Sequence, residues 1–125
     1  MTQSTGHRDL VVWQKAMDLV VECYRISDRF PRSEDFGLRL QLRRASVSVP
    51  ANIAEGRGRT GVGEYLHHLS IAHGSLKELE THFEISRRLG YLTPEVLADF
   101  QGRLDEVGRL LGGLIRKLRA TAAKP

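Results

Sequence analysis

Five histidines, one cysteine and fifteen carboxylates are the side chains of this 125-residue chain best suited to acid-base, nucleophilic or metal chemistry. Glu64 and His67 have the Glu-x-x-His spacing that places both side chains on one helix face. Two such pairs and two further glutamates build a di-iron centre inside a helical bundle. No second pair exists, because Glu22, Glu55, Asp105 and Glu106 all lack a histidine at the required offset. His67, His68, His73 and His82 spread over four turns and face several directions, so no three make a ligand set. Ser46, Ser48, Ser70, Ser75 and Ser86 have neither a glycine elbow nor a base at a useful spacing. Cys23 stands alone in an apolar helical pattern, where a small buried thiol is the default. These residues lead us to expect a non-enzymatic protein with no catalytic residue, no metal and no cofactor.

The arginines are more informative. Residues 36–62 hold Arg39, Arg43, Arg44, Arg57 and Arg59 against Glu55 alone, a balance of +4 that equals the net charge of the whole chain. Basic charge gathered in one segment points to a polyanion-facing surface, and these five arginines are the candidate nucleic-acid contacts. The other use of such arginines is pairing, within the fold or across a subunit interface. The glycines of GRGRTGVG (56–63) lack the Lys-Ser/Thr pair and the preceding strand of a phosphate loop, so a helix-to-helix turn explains them better. Their amides at the start of the following helix, beside Arg57 and Arg59, could still hold a phosphate.

Four helices must position these groups. Val62, Tyr65, Leu69, Ala72, Leu76, Leu79, Phe83 and Ser86 alternate by threes and fours, as do Leu97, Phe100, Leu104, Val107, Leu111, Leu114 and Leu118. Trp13, Met17, Val20, Tyr24 and Ser27 predict the inner face of a first helix over about 10–30, ended by Phe30-Pro31. Leu38, Leu42, Ala45, Val49 and Ile53 predict a second, with Ser33 as its N-cap and Glu34 and Asp35 in its first turn. Gly56, Gly58 and Gly61 mark the middle loop, Gly90 stops the third helix, and Thr93-Pro94-Glu95 starts the fourth. Short links favour an all-α, antiparallel up-down-up-down four-helix bundle. It forms one domain over 1–125, with ends frayed at about 1–8 and 120–125.

Pro50 lies inside the second helical pattern and predicts a kink or break near Val49. Ser46 and Ser48 are placed to satisfy the freed backbone, and Asn52 and Glu55 to pin the kink; Glu55 could equally pair with Arg59. Gly108, Gly112 and Gly113 would let another backbone approach the fourth helix. Val12, Leu19, Cys23, Ile26, Ile71, Ile85, Val96, Leu110 and Ile115 lie off the chosen seams, which favours self-association. No stretch approaches the length of a membrane span and no signal peptide is evident, so we expect a cytoplasmic protein without membrane contact.

The segments DLVVWQKAM (9–17), FP (30–31), FGL (36–38), RRASVSVPANIAEG (43–56), IAHGS (71–75), ELET (78–81) and LGYL (89–92) carry a resemblance over nearly the whole chain. The chain resembles the four-helix-bundle proteins encoded in intervening sequences of bacterial 23S rRNA genes, the S23 ribosomal protein family. The resemblance implies assembly into rings of five. A related fold accompanies a reverse transcriptase, which implies a basic ring surface facing RNA or another nucleic acid and a partner protein. His68 departs from the family's usual bulky aromatic and His82 from its common glutamine. The family has no established activity. The expectation is therefore a self-assembling RNA-binding accessory or scaffold, the alternative being a protein-protein scaffold whose arginines serve the subunit interface.

Overall fold

The computed structural model describes residues 6–123; the extreme ends, 1–5 and 124–125, lie outside the described residues. A short 3-10 turn, Gly6–Asp9, leads into α1 (Val11–Ser27), and a second, Arg32–Glu34, precedes α2 (Leu38–Arg57); α3 (Val62–Arg88) and α4 (Pro94–Ala122) follow. Each helix packs against two others, α1 on α2, α2 on α3, α3 on α4 and α4 on α1, around one core. Paired positions fall on one helix as they rise on its neighbour. Tyr24 meets Arg43 and Ser27 meets Arg39; Ser48 meets Ser75 and Asn52 meets His68; Gly108 lies at Leu76 and Phe100 stacks on Phe83.

The seams of α3 and α4 bury Leu69, Ala72, Leu76, Leu79, Phe83, Phe100, Leu104, Val107 and Leu111 as the spacing predicts. Removing the valine, leucine and phenylalanine side chains among them from water supplies roughly 1.5–3 kcal/mol each. The α3–α4 corner also follows its signals. Gly90 takes φ +81° and its amide bonds to the Arg87 carbonyl, while the Tyr91 amide reaches back to Ser86, closing the helix end. The Thr93 hydroxyl accepts the Val96 amide at 3.2 Å, with Pro94 in the first helical turn.

Other expectations are corrected. The core face of α1 is Val12, Ala16, Leu19, Cys23 and Ser27, whereas Met17 and Tyr24 are 40 % and 42 % exposed. Two adjacent stripes of α1 are apolar, and the one with Ala16 and Cys23 turns inward because small side chains let α2 come close. The helix ends at Ser27 instead of Phe30, and Phe30 folds back into the core. Ser33 is not the cap of α2. The helix starts after Gly37, and the Glu34 carboxylate accepts the Leu38 amide at 2.9 Å. That bond and another from the Tyr91 hydroxyl hold the Glu34 carboxyl below the usual carboxylate range.

α2 runs from Leu38 to Arg57 without a break at the buried Pro50. It takes in Gly56, which is helical and buried, so the middle loop begins two residues later than expected. α4 is helical through Ala122, beyond the point where fraying was expected. Of the apolar residues placed off the seams, Val12, Leu19 and Cys23 are core, while Ile71, Ile85 and Val96 are exposed. Exposed Val21 and Val47 join Met17 and Tyr24 on the outside.

Candidate nucleic-acid interface

The last turn of any helix leaves carbonyls without intrahelical donors, and cations are favoured there. Two of the five candidate arginines add donors at the end of α1, to carbonyls that already accept one backbone amide each, Tyr24 from Asp28 and Ser27 from Phe30. Arg39 Nε donates to the Ser27 carbonyl at 3.0 Å, and its guanidinium also bonds to the Phe30 carbonyl and the Asp35 carboxylate. Its side chain is only 13 % exposed. Arg43 Nε donates to Ser27 Oγ at 2.8 Å and Nη2 to the Tyr24 carbonyl at 3.2 Å, with the guanidinium 4.5 Å over the Tyr24 ring. These two arginines are fastenings between α1 and α2. Arg44 is exposed and makes no ion pair among the described residues.

Arg57 and Arg59 lie at the other end of α2, Arg57 being fourteen residues from Arg43, or about 21 Å along the axis. The structure does not bring the five together. Arg59 bonds to Glu55 at 2.8 Å with its side chain 44 % exposed, and Arg57 is half-buried near Tyr65.

The residues assigned to the proline form a chain of bonds across the α2–α3 seam. Ser48 Oγ meets Ser75 Oγ at 2.8 Å; Asn52 Nδ2 donates to Ser48 Oγ and to the Ser48 carbonyl; Asn52 Oδ1 meets His68 Nδ1 at 3.0 Å. An amide oxygen only accepts, so His68 Nδ1 carries the proton, and Nε2 faces Glu55 at 3.8 Å. Ser46 donates to the Arg43 carbonyl. With Nδ1 on an amide and Nε2 toward a carboxylate, His68 has no hydroxyl to activate. Beside this chain the helices come very close: a Cβ on Gly56 would lie 2.8 Å from His68 Cβ and 3.0 Å from the Tyr65 ring. Burial raises the pKa of the Tyr65 hydroxyl, which has no hydrogen-bond partner among the described residues. His68 is thus a member of the seam that sequence reasoning noticed only as a departure.

The charge missed by the linear reading lies on α4. Divided at the helix midpoints, the half-molecule holding the α2–α3 turn (residues 6–19, 48–75 and 108–123) has eight Lys/Arg against four Asp/Glu, and the other described half ten against eleven. Arg109, Arg116, Lys117 and Arg119 give half of those eight, with no acidic residue after Glu106. The signal was in the sequence as an acid-free helix end, but only folding brings it beside Arg57 and Arg59. Gly112 and Gly113 do not receive another backbone within the bundle; a Cβ on Gly112 would meet Arg116 Nη1 at 3.3 Å, and one on Gly108 only the Leu76 side chain at 3.6 Å.

Among the described residues no group of three His, Cys, Asp or Glu could hold a metal ion, and no helix is long and apolar enough to cross a membrane. The class defined here is an all-helical four-helix bundle whose polar side chains fasten helices together and whose basic charge gathers at one end. The chain belongs to the 23S rRNA-intervening sequence protein family, whose model matches residues 8–113. It is similar in fold to a protein of unknown function from the S23 ribosomal protein family of Bacteroides thetaiotaomicron, with a TM-score of 0.79 and 24 % identity over 85 % of this chain and 96 % of that one. None of the curated proteins matches it.

Proposed function

We propose that this chain is a non-enzymatic, self-associating bundle of the cytosol that binds RNA through backbone phosphates at the end where α2 turns into α3. The observation that carries the reading is the excess of eight basic over four acidic residues on that half, against near balance on the other. Arg57 and Arg59 are the contacts kept from the linear reading, Arg44 lies on the other half of the molecule, and Arg39 and Arg43 hold the fold. Phosphate binding of this kind is insensitive to base sequence and falls steeply with salt. Fluorescence anisotropy with a mixed-sequence structured RNA across a salt series tests it. Binding should weaken in Arg57→Ala/Arg59→Ala, with the log-log salt slope reduced by about 2. A flat salt response or absence of binding would reject the reading.

A second reading, a protein scaffold, draws on exposed Met17, Val21 and Tyr24 of α1 and Val47 of α2, apolar side chains of the kind that subunit interfaces cover. Sedimentation of Val21→Glu beside the parent measures self-association, and unchanged assembly would remove α1 from the interface.

A further inference from the structure

We propose that the groove between the first half of α3 and the last half of α4 is a phosphate-binding site, formed by Ser70 and His73 on one wall and Arg116 and Arg119 on the other. This rests on the RNA reading for the source of the phosphate and adds a site outside the arginine segment of α2. The groove encloses about 270 Å³ over a floor that includes Leu66 and Ile115. Its lining contains no carboxylate. Two other grooves include carboxylates beside their basic residues, Glu80 and Asp105 with Lys77 and Arg109 in one and Glu22, Glu95 and Asp99 with Arg25 and Arg29 in the other.

Arg116 and Arg119 make no ion pair among the described residues, with Glu64 on the first turn of α3 or with any other acid. The adjacent glycines have a specific use here. Gly112 and Gly113 leave the surface of α4 bare, and the Arg116 guanidinium folds back over them, 3.3 Å and 3.9 Å from where their Cβ atoms would stand. A guanidinium can offer two parallel N–H donors to one phosphate, the Ser70 hydroxyl and a His73 ring N–H can add donors from α3, and Arg119 adds charge. No aromatic ring other than His73 lines the groove, so a base finds no stacking platform and the phosphate alone is recognised. His73 also lines the neighbouring groove, where Arg109 and Lys77 stand beside Glu80 and Asp105, so the carboxylate-free stretch ends at His73.

The test uses the full chain, with inorganic pyrophosphate and a structured RNA as separate probes and circular dichroism to confirm folding. Arg116→Ala/Arg119→Ala should weaken RNA about tenfold at moderate salt and lower the salt slope by about 1–2, and Gly112→Ala should weaken it by a smaller factor. Pyrophosphate should shift the Gly112 amide and the His73 ring signals in NMR spectra of the parent and not of the double variant. RNA binding that the double variant retains in full, while Arg57→Ala/Arg59→Ala loses it, overturns the groove and leaves the RNA reading standing. Failure of the parent to bind RNA, with pyrophosphate shifts intact, overturns the RNA reading and keeps the groove as a site for a free phosphate compound. No pyrophosphate shift together with unaltered RNA binding in the double variant removes the groove altogether.

Discussion

The two ends of α2 carry the same residue type in different circumstances. At the first end Arg39 and Arg43 bond to carbonyls at the end of α1 and are consumed in holding it, with side chains 13 % and 23 % exposed. At the second end the fastening is done by a glycine and a chain of polar side chains, Ser75, Ser48, Asn52 and His68, and the neighbouring Arg59 stays at the surface. Whether an arginine serves the fold or the solvent is decided by what lies within reach of it. A count of charges along the chain carries no such information.

The difference can be broken most forcefully at the first end. Arg39→Ala strips donors from two carbonyls and a carboxylate at once and should cost about 3 kcal/mol of unfolding free energy in urea melts, with Arg39→Lys recovering less than half. The same region should respond to alkali. Burial pushes the Cys23 thiol up to about 11 from 9.0, so below pH 9 folded and unfolded chains both keep the proton and full stability is present. Between pH 9 and 11 the unfolded chain binds fewer protons, and stability should fall by about 2 kcal/mol as pH rises. Cys23→Ala should flatten that part of the profile.

At the second end, Gly56→Ala drives a methyl into His68 and Tyr65 and should lose about 2 kcal/mol, whereas Gly74→Ala, with open space around it, should gain about 0.5–1 kcal/mol. Asn52→Ala cuts the links to His68 and Ser48 and should cost about 1 kcal/mol by thermal melting. Arg59→Ala should leave stability within about 0.5 kcal/mol, since its single exposed pair contributes little. An Arg59→Ala loss as large as that of Arg39→Ala would erase the distinction between the ends.

The four helices, the α3 and α4 seams and the Gly90 and Thr93-Pro94 punctuation were legible because each depends on residues a few positions apart. The inward face of α1 was not, since both of its stripes are apolar and only the closeness of α2 selects Ala16 and Cys23 over Met17 and Tyr24. The fate of Arg39 and Arg43 depends on carbonyls 9 to 19 residues away, and the role of Gly56 on a helix that follows it. The basic half escaped notice for the same reason: Arg57 and Arg119 lie far apart in sequence and share an end only after folding.

That unequal distribution of charge makes the molecule an electric dipole along its long axis. In the field of a polyanion it will turn before it touches, presenting the α2–α3 turn and the end of α4. Substitutions at the far, balanced half that add positive charge should then change how often approaches are productive, and so the association rate, while leaving the lifetime of the proposed RNA complex as it was.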